Sequence, residues 1–598
     1  MEATGAGSAV TTGSKTMADM LGLAVERNPE MVAVKYKQDG SWHDVTLAEV
    51  GVIANEISKG LIALGIEAGE RVCILSSTRP EWTYSDFAIT TAGCVVVPIY
   101  PTNAPEECEW VVGNSEAVAI ICEDAEQIAK ITEVRERLPK LEHIIVINPA
   151  GDTADAISID DLRSSGASVD DATLKARTDA VTPDDPFTFI YTSGTTGPPK
   201  GCVLTHGNYR SVLSMCASLD VLAGGETTYL YLPLAHSFAL LIQLISFDVG
   251  GTIAYFGGDT KAIIGELSEV KPTYFPSVPR VFEKIYTMVT ANAEDPELLK
   301  KAVAVGAKVR DLQVAGQEIP AELAEPFAQA EERLFKNVRA AFGGNVRQAV
   351  TGAAPIAQEI LEFFWACGVP VLEGYGMTET ATIATYSSIE HHKFGTVGRA
   401  LPGVELKIAA EDDEILIKGG NIFNGYYKND DASFGAVIDG WLHTGDVGSI
   451  DQDGYLKITG RKKDIIITAG GKNLTPANIE NDMKQSRWVS QAMMHGDKRA
   501  FPSMLITLDE EEIIPWAEQN GLPADIASLA VEPKVIAMIQ ETLDAANSKY
   551  AQVEQVKKFF ILEHDLTQET GELTPTLKVK RNVVNEKYAD RFDALYGP

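Results

Sequence analysis

The sequence predicts an α/β protein, with helix-covered and largely parallel β-sheets in a large N-terminal domain, a β-rich subdomain at its end, and a small α+β C-terminal domain. Three observations predict it. Short apolar, β-branched runs alternate with helical patterns up to about Gly460, the texture turns β-rich and turn-rich from Gly403 to Thr459, and a compact mixed tract follows. Runs that are apolar on both faces and separated by helices are what sheets buried under helices require.

The elements follow in order. The first sixteen residues, MEATGAGSAVTTGSKT, are small and polar. They predict a flexible tail and lack the apolar core of a signal peptide. Strand-like runs come next: RVCILSS, CVVVPIY, AVAIICED, HIIVINP and PFTFIYTSG, most of them bounded by Gly, Pro or polar turns. Helical patterns cover Leu47 to Leu64 and Ala125 to Leu138. Phe238 to Phe256 is strongly apolar, but Gln243, Asp248 and two glycines interrupt it, so it predicts core and not a membrane span. From Val281 to Val346 the chain is helical and charged, which predicts an amphipathic hairpin packed on the body or an element serving the substrate. DQDG between the apolar runs near Gly448 and Leu456 predicts a hairpin. The boundaries read are a tail at 1–16, a large domain at 17–460, a junction RKKD at 461–464, and a small domain at 465–598.

The bulk properties narrow the function. The 598 residues are 45% hydrophobic and 23% charged, a globular composition too long for one hydrophobic core. A net charge of −33 argues against nucleic acid as a partner and gives no general attraction to anionic lipid, so any membrane contact must be local and apolar. The seven cysteines are odd in number, form no C-x-x-C pair and lie mostly in apolar runs, which predicts reduced, buried thiols. No zinc spacing is present, and His391-His392 reads as a loop pair.

The most informative segment is YTSGTTGPPKG, Tyr191 to Gly201, directly after the apolar run FTFI. Its glycines, hydroxyls and lysine offer backbone N–H groups and a cation to phosphate oxygens. It is not a P-loop, because the spacing of GxxxxGK followed by Ser or Thr is absent. By composition alone a generic Gly/Ser/Thr loop remains open.

The segment resembles the phosphate loop of the adenylate-forming superfamily, which includes acyl-CoA synthetases, luciferases and peptide-synthetase adenylation domains. Further motifs follow in that family's order: LPLAH at Leu232 to His236, GYGMTET at Gly374 to Thr380, DGWLHTGD at Asp439 to Asp446, GRKKDIIITAGGKNLTPANIE from Gly460, and LTPTLKVKR at Leu573 to Arg581. The resemblance implies the family fold, with a C-terminal domain that moves. It implies binding of ATP, Mg²⁺ and a carboxylic acid, with coenzyme A as co-substrate.

Carried over residue by residue, the resemblance gives the triphosphate to Thr192, Ser193, Gly194, Thr196, Gly197 and Lys200, and gives Thr195 a catalytic place. It gives the adenine side to Gly374, Tyr375, Gly376 and Thr378, and the ribose to Asp446, with Arg461 beside it. Glu379, with Thr192, would hold Mg²⁺, to which a carboxylate oxygen is suited. Lys578 would reach the reacting carboxylate during adenylation, and His236 would sit beside the acyl carboxylate. Lys463 aligns with the family's hinge. No protein nucleophile is needed, because the thiol of CoA attacks the mixed anhydride.

PSVPRVFEKIY, Pro276 to Tyr286, and the helical stretch before TGAAP at Thr351 resemble the long-chain fatty acid–CoA ligase branch. Two departures bear on chain length more than on chemistry: LPLAH continues as SFALL, and no Asp precedes the Arg of GRKKD. The expected activity is ATP-dependent activation of a long-chain fatty acid to acyl-AMP, then transfer to CoA. The alternatives are a ligase passing the acyl group to a carrier-protein thiol and an inactive binding relative. The intact set Lys200, Glu379, Asp446 and Lys578 argues against the last. The expected setting is cytoplasmic, with any membrane contact peripheral and on the cytosolic face.

Overall fold

A computed structural model describes residues 10–192, 198–291, 295–574 and 578–597. Among these, two large sheets form the body. In one, Ile157–Ser158, His143–Val146, Ala119–Cys122, Arg71–Leu75, Val95–Ile99 and Pro186–Thr192 run parallel, and Lys200–Thr205 closes the edge antiparallel. The other has a parallel centre of Val371–Tyr375, Gln348–Thr351, Tyr274–Ser277, Thr227–Leu230, Thr252–Tyr255 and Val32–Gln38, with antiparallel strands at both edges.

Helices Pro80–Thr91 and Ser237–Val249 are buried on every side, so neither shows a polar stripe. The apolar stretch from Phe238 is core, as the sequence predicts. Its few polar groups are paired: Gln243 accepts from the Thr83 hydroxyl at 2.6 Å and donates to Asp86 at 2.7 Å. Pairing matters here, because an unpartnered buried polar group costs about 1–3 kcal/mol.

All seven cysteines are buried and free. The segment Val281 to Val346 packs on the body through Phe282, Phe335 and Phe342, which lie among Phe275 and Phe364. Close approach is built in at Gly306, where a Cβ would stand 2.6 Å from the Phe335 ring.

Of the tail expected at 1–16, residues 1–9 lie outside the described residues, and the rest touches the body. Thr12 donates to Asp248 at 2.5 Å, Arg210 donates to the Ser14 hydroxyl at 2.7 Å, and the Met17 N–H donates to His206 at 3.0 Å. Side-chain partners hold Thr12 and Ser14 on the body, and Met17 is buried in the core, so the small polar composition before it does not reveal the packing.

The subdomain is antiparallel: Glu405–Ile408, Glu414–Lys418, Trp441–Ile450, Val437–Ile438 and Leu456–Arg461, with the DQDG hairpin where expected. Lys462–Asp464 then forms a single tight turn. Beyond it, Val489–His495, Ser503–Leu508 and Lys558–Ile561 form a sheet with its own apolar clusters, drawn from residues 466 onward. A separate core is what lets such a unit move as one body. Among the described residues, no helix is long and apolar enough to cross a membrane.

Candidate active site

The phosphate-loop candidate is the connection of a hairpin. Thr192 ends one strand, Lys200 begins the next, and the two are register partners. Ser193, Gly194, Thr195, Thr196 and Gly197 lie outside the described residues. The Thr192 hydroxyl is 3.8 Å from the Cys202 sulfur, and the Lys200 ammonium stands 5.1 Å from the centre of the Tyr426 ring.

GYGMTET follows the Val371–Tyr375 strand. A Cβ on Gly376 would stand 2.1 Å from the Thr382 carbonyl oxygen, so only glycine fits. Thr378 and Glu379 lie buried in a tight turn, and Ala381 and Thr382 follow with φ of 45° and 94°. Left-handed backbone at non-glycine residues is strained and persists where surrounding contacts hold it. Here the Thr382 hydroxyl donates to the Ser237 carbonyl at 2.8 Å, tying the motif to the buried helix.

Glu379 accepts a 2.7 Å hydrogen bond from the Tyr426 hydroxyl. Burial first, and the Glu379 charge second, push the Tyr426 phenol up, so it keeps its proton and donates. Burial, then Glu379, also raises the Cys202 thiol. Tyr426 is a residue that the sequence reading missed. Its segment pairs with the strand after the loop, through Val203 N–H to the Gly425 carbonyl and Tyr427 N–H to the Gly201 carbonyl, both long-range contacts. No local pattern in NGYYKN signals them.

The ribose candidates form a second cluster. Asp446 and Arg461 are register partners on adjacent strands, and Arg461 donates to Asp446 at 2.7 Å. The Tyr375 hydroxyl donates to the other Asp446 oxygen at 2.8 Å. Burial opposes the Arg461 charge, but the Asp446 carboxylate more than offsets it, and the Arg461 pKa is raised. Both Asp446 oxygens are thus oriented, leaving lone pairs for further donors.

Two more candidates join this cluster. His236 caps the Ser237–Val249 helix, its Nδ1 accepting from the Phe238 N–H at 3.1 Å. That bond leaves the proton on Nε2. Burial first, then the Lys578 cation, lower His236 to about 4, so it is neutral at pH 7. Lys578 comes from the small domain, where the Thr574 N–H donates to the Lys578 carbonyl at 2.8 Å. Its residue surface is largely exposed, yet protein crowds its ammonium. That desolvation first, then Arg461, lowers its pKa, and Asp446 partly offsets the shift. The structure therefore places Lys578 within electrostatic reach of His236, Arg461 and Asp446.

At the junction, Lys462 pairs with Asp412 at 2.6 Å and Glu414 at 3.0 Å in the large domain. Asp464 faces Arg581 of the small domain at 3.8 Å. Lys463 lies between these two anchors. A shallow depression of about 540 Å³ lined by Arg210, Ser211, Ser214, Met215, Ser218 and Pro402 includes none of the site side chains. His392 packs on the Trp365 ring at 4.1 Å, in a loop as expected.

Models of the AMP-binding enzyme match residues 23–427, and those of the AMP-binding enzyme C-terminal domain match residues 463–598. The chain belongs to the AMP-binding enzyme family. This AMP-binding enzyme is 41% identical over 575 residues to a Mycobacterium bovis protein named long-chain-fatty-acid–CoA ligase FadD15, covering 95% of each chain. It is 34% identical over 610 residues to long-chain-fatty-acid–CoA ligase ACSBG2 of Xenopus laevis, covering 96% of this chain and 82% of that one. Its fold is similar to that of the anthranilate CoA ligase AuaEII in complex with anthranoyl-AMP, with a TM-score of 0.74, 20% identity and full coverage of both chains.

Proposed function

We propose that this enzyme activates a long-chain fatty acid with ATP, forming acyl-AMP and pyrophosphate, and then transfers the acyl group to CoA with release of AMP. One observation supports the site assignment: Lys578, a lysine of the small domain, lies within electrostatic range of the Asp446–Arg461 pair and of His236 in the large domain. The acid and ATP are both anions, so their reaction needs positive charge where negative charge develops. Lys578 supplies a cation at the carboxylate, Lys200 supplies one at the phosphates, and Asp446 orients the ribose. The fatty-acid carboxylate attacks the α-phosphorus, and pyrophosphate leaves. In the second step the CoA sulfur attacks the acyl carbon, and AMP leaves with the bonding pair.

Magnesium fits this chain through Glu379. Among the described residues no group of three or more His, Cys, Asp or Glu could hold a metal ion by itself. Mg²⁺ ordinarily takes one or two carboxylates and completes its shell with substrate phosphates and water. Glu379 is buried, with one oxygen fixed by Tyr426, and Thr192 lies across Cys202 from it. When bound, the ion supplies charge to the phosphates. Glu379→Gln is expected to lower turnover at limiting Mg²⁺ by about 10²-fold, and to weaken Mn²⁺ binding to the ATP complex in a paramagnetic titration. Normal binding and turnover in that variant would remove the metal role.

The acyl chain is assigned to a tunnel in the large domain, between the sheet core and the LPLAH and PSVPR segments. Tyr231, which leads into LPLAH, meets Ser277 of PSVPR at 2.7 Å, so the two segments lie side by side on the large domain. Each buried CH₂ adds roughly 0.8 kcal/mol. The ratio kcat/KM, measured by CoA-dependent AMP release from acetate to long fatty acids, should climb with chain length until the site is full. A preference for acetate or an aromatic acid would defeat the long-chain reading. Accumulation of acyl-AMP despite added CoA would favour a different acceptor.

A further inference from the structure

The helix that follows PSVPR does more than pack on the large domain. It spans Pro279–Ala291, with Phe282 and Ile285 turned into the core. Arg280 and Lys284 lie one turn apart on its outer face, as residues four positions apart must. Both reach the small domain: Arg280 bonds Asp509 at 2.5 Å, and Lys284 bonds Glu511 at 2.5 Å.

Their partners open the helix Glu510–Gln519. Asp509 is its N-cap residue, yet its side chain makes no capping bond. An Asp in that place ordinarily accepts an N–H of its own first turn. Here the carboxylate is given to Arg280 instead, and only 17% of it is exposed. The positive end of a helix dipole would repel Arg280 and Lys284. Asp509 with Glu510, Glu511 and Glu512 reverses that sign locally.

We propose that Arg280 and Lys284 are positioning residues for adenylation: through Asp509 and Glu511 they dock the small domain in the orientation that delivers Lys578 to the reacting carboxylate. The dock is built to release. When the small domain turns away, Asp509 is free to cap its own helix, so the lost ion pair is partly replaced. Surface ion pairs are individually weak, which suits a domain that must alternate. The proposal rests on the assignment of Lys578 to adenylation.

The test measures the two half-reactions separately by single turnover, using hexadecanoic acid with ATP, and hexadecanoyl-AMP with CoA. Arg280→Glu combined with Lys284→Glu is expected to slow acyl-AMP formation about tenfold and to leave thioester formation unchanged or faster. Asp509→Asn with Glu511→Gln, made from the other side, should give the same split, since Asn suits an N-cap position as well as Asp does. Exchanging the charges, by adding Asp509→Lys and Glu511→Lys to the first variant, should return acyl-AMP formation to within about threefold of the parent. Unchanged acyl-AMP formation in the first two variants, or equal loss of both half-reactions, overturns the proposal. Lys578→Ala, run in parallel, keeps the two ideas apart. If it too spares acyl-AMP formation, the lysine assignment fails. If it alone loses that step, the dock fails and the assignment stands.

Discussion

Lys578→Ala should lose acyl-AMP formation from ATP and fatty acid by about 10²–10³-fold, while thioester formation from supplied acyl-AMP and CoA stays within a few-fold of the parent. The asymmetry follows from what the ammonium meets. Lys578 lies near Asp446, Arg461 and His236, the groups assigned to the nucleotide and the acyl carboxylate. The first step brings two anions together. The second brings in a thiol, and that step is proposed to use another placement of the small domain. A pH profile gives an independent check. The lysine must be protonated to act, and desolvation with Arg461 lowers its pKa. Adenylation should therefore fall as pH rises through that lowered value, and Lys578→Arg should move the alkaline limb upward. Pyrophosphate release in the first half-reaction reads both effects. Equal loss of the two half-reactions in Lys578→Ala would overturn the assignment.

Lys463→Pro should spare acyl-AMP formation and slow transfer to CoA by about 10²-fold, close to 2.7 kcal/mol of barrier. The residue lies between anchors that belong to different domains: Lys462 is held by Asp412 and Glu414, and Asp464 faces Arg581. Rotation between those anchors must be absorbed by backbone dihedrals in the turn. Proline fixes φ near −65° and restricts the residue before it. The arrangement with Lys578 at the large-domain cluster is the one expected to be trapped. Single-turnover transfer from supplied acyl-AMP is the deciding measurement, and an unchanged rate would refute the hinge. An exposed basic turn with no hinge role would tolerate the proline in both steps.

Much of the site is legible in the chain because it is local. Thr192 and Lys200 face each other across a hairpin whose strands are apolar and whose loop is small and polar. Gly376 is a glycine because a carbonyl lies where a Cβ would be. Asp446 and Arg461 sit on consecutive strands joined by DQDG, so their pairing follows from the hairpin register. The parallel body is legible too, since a strand covered on both faces must be apolar on both faces.

Other features depend on which distant segments meet. Tyr426 holds Glu379 because its segment adds to the edge of the Pro186–Thr205 hairpin, a pairing made by backbone N–H and carbonyl groups. By resemblance His236 is expected beside the acyl carboxylate, and only the fold makes it a helix cap with a lowered pKa. Thr12 to Thr16 read as part of a tail by composition, and Asp248 and Arg210 hold Thr12 and Ser14 on the body. Nothing local marks Arg280 and Lys284 for a partner, and the small domain supplies one in Asp509 and Glu511. The sequence by itself determined the elements, the motifs and the chemistry they can carry, because dihedral preference and one-sided burial act over a few residues. Only the docking of two separately cored domains brings Lys578 within electrostatic range of Asp446 and Arg461.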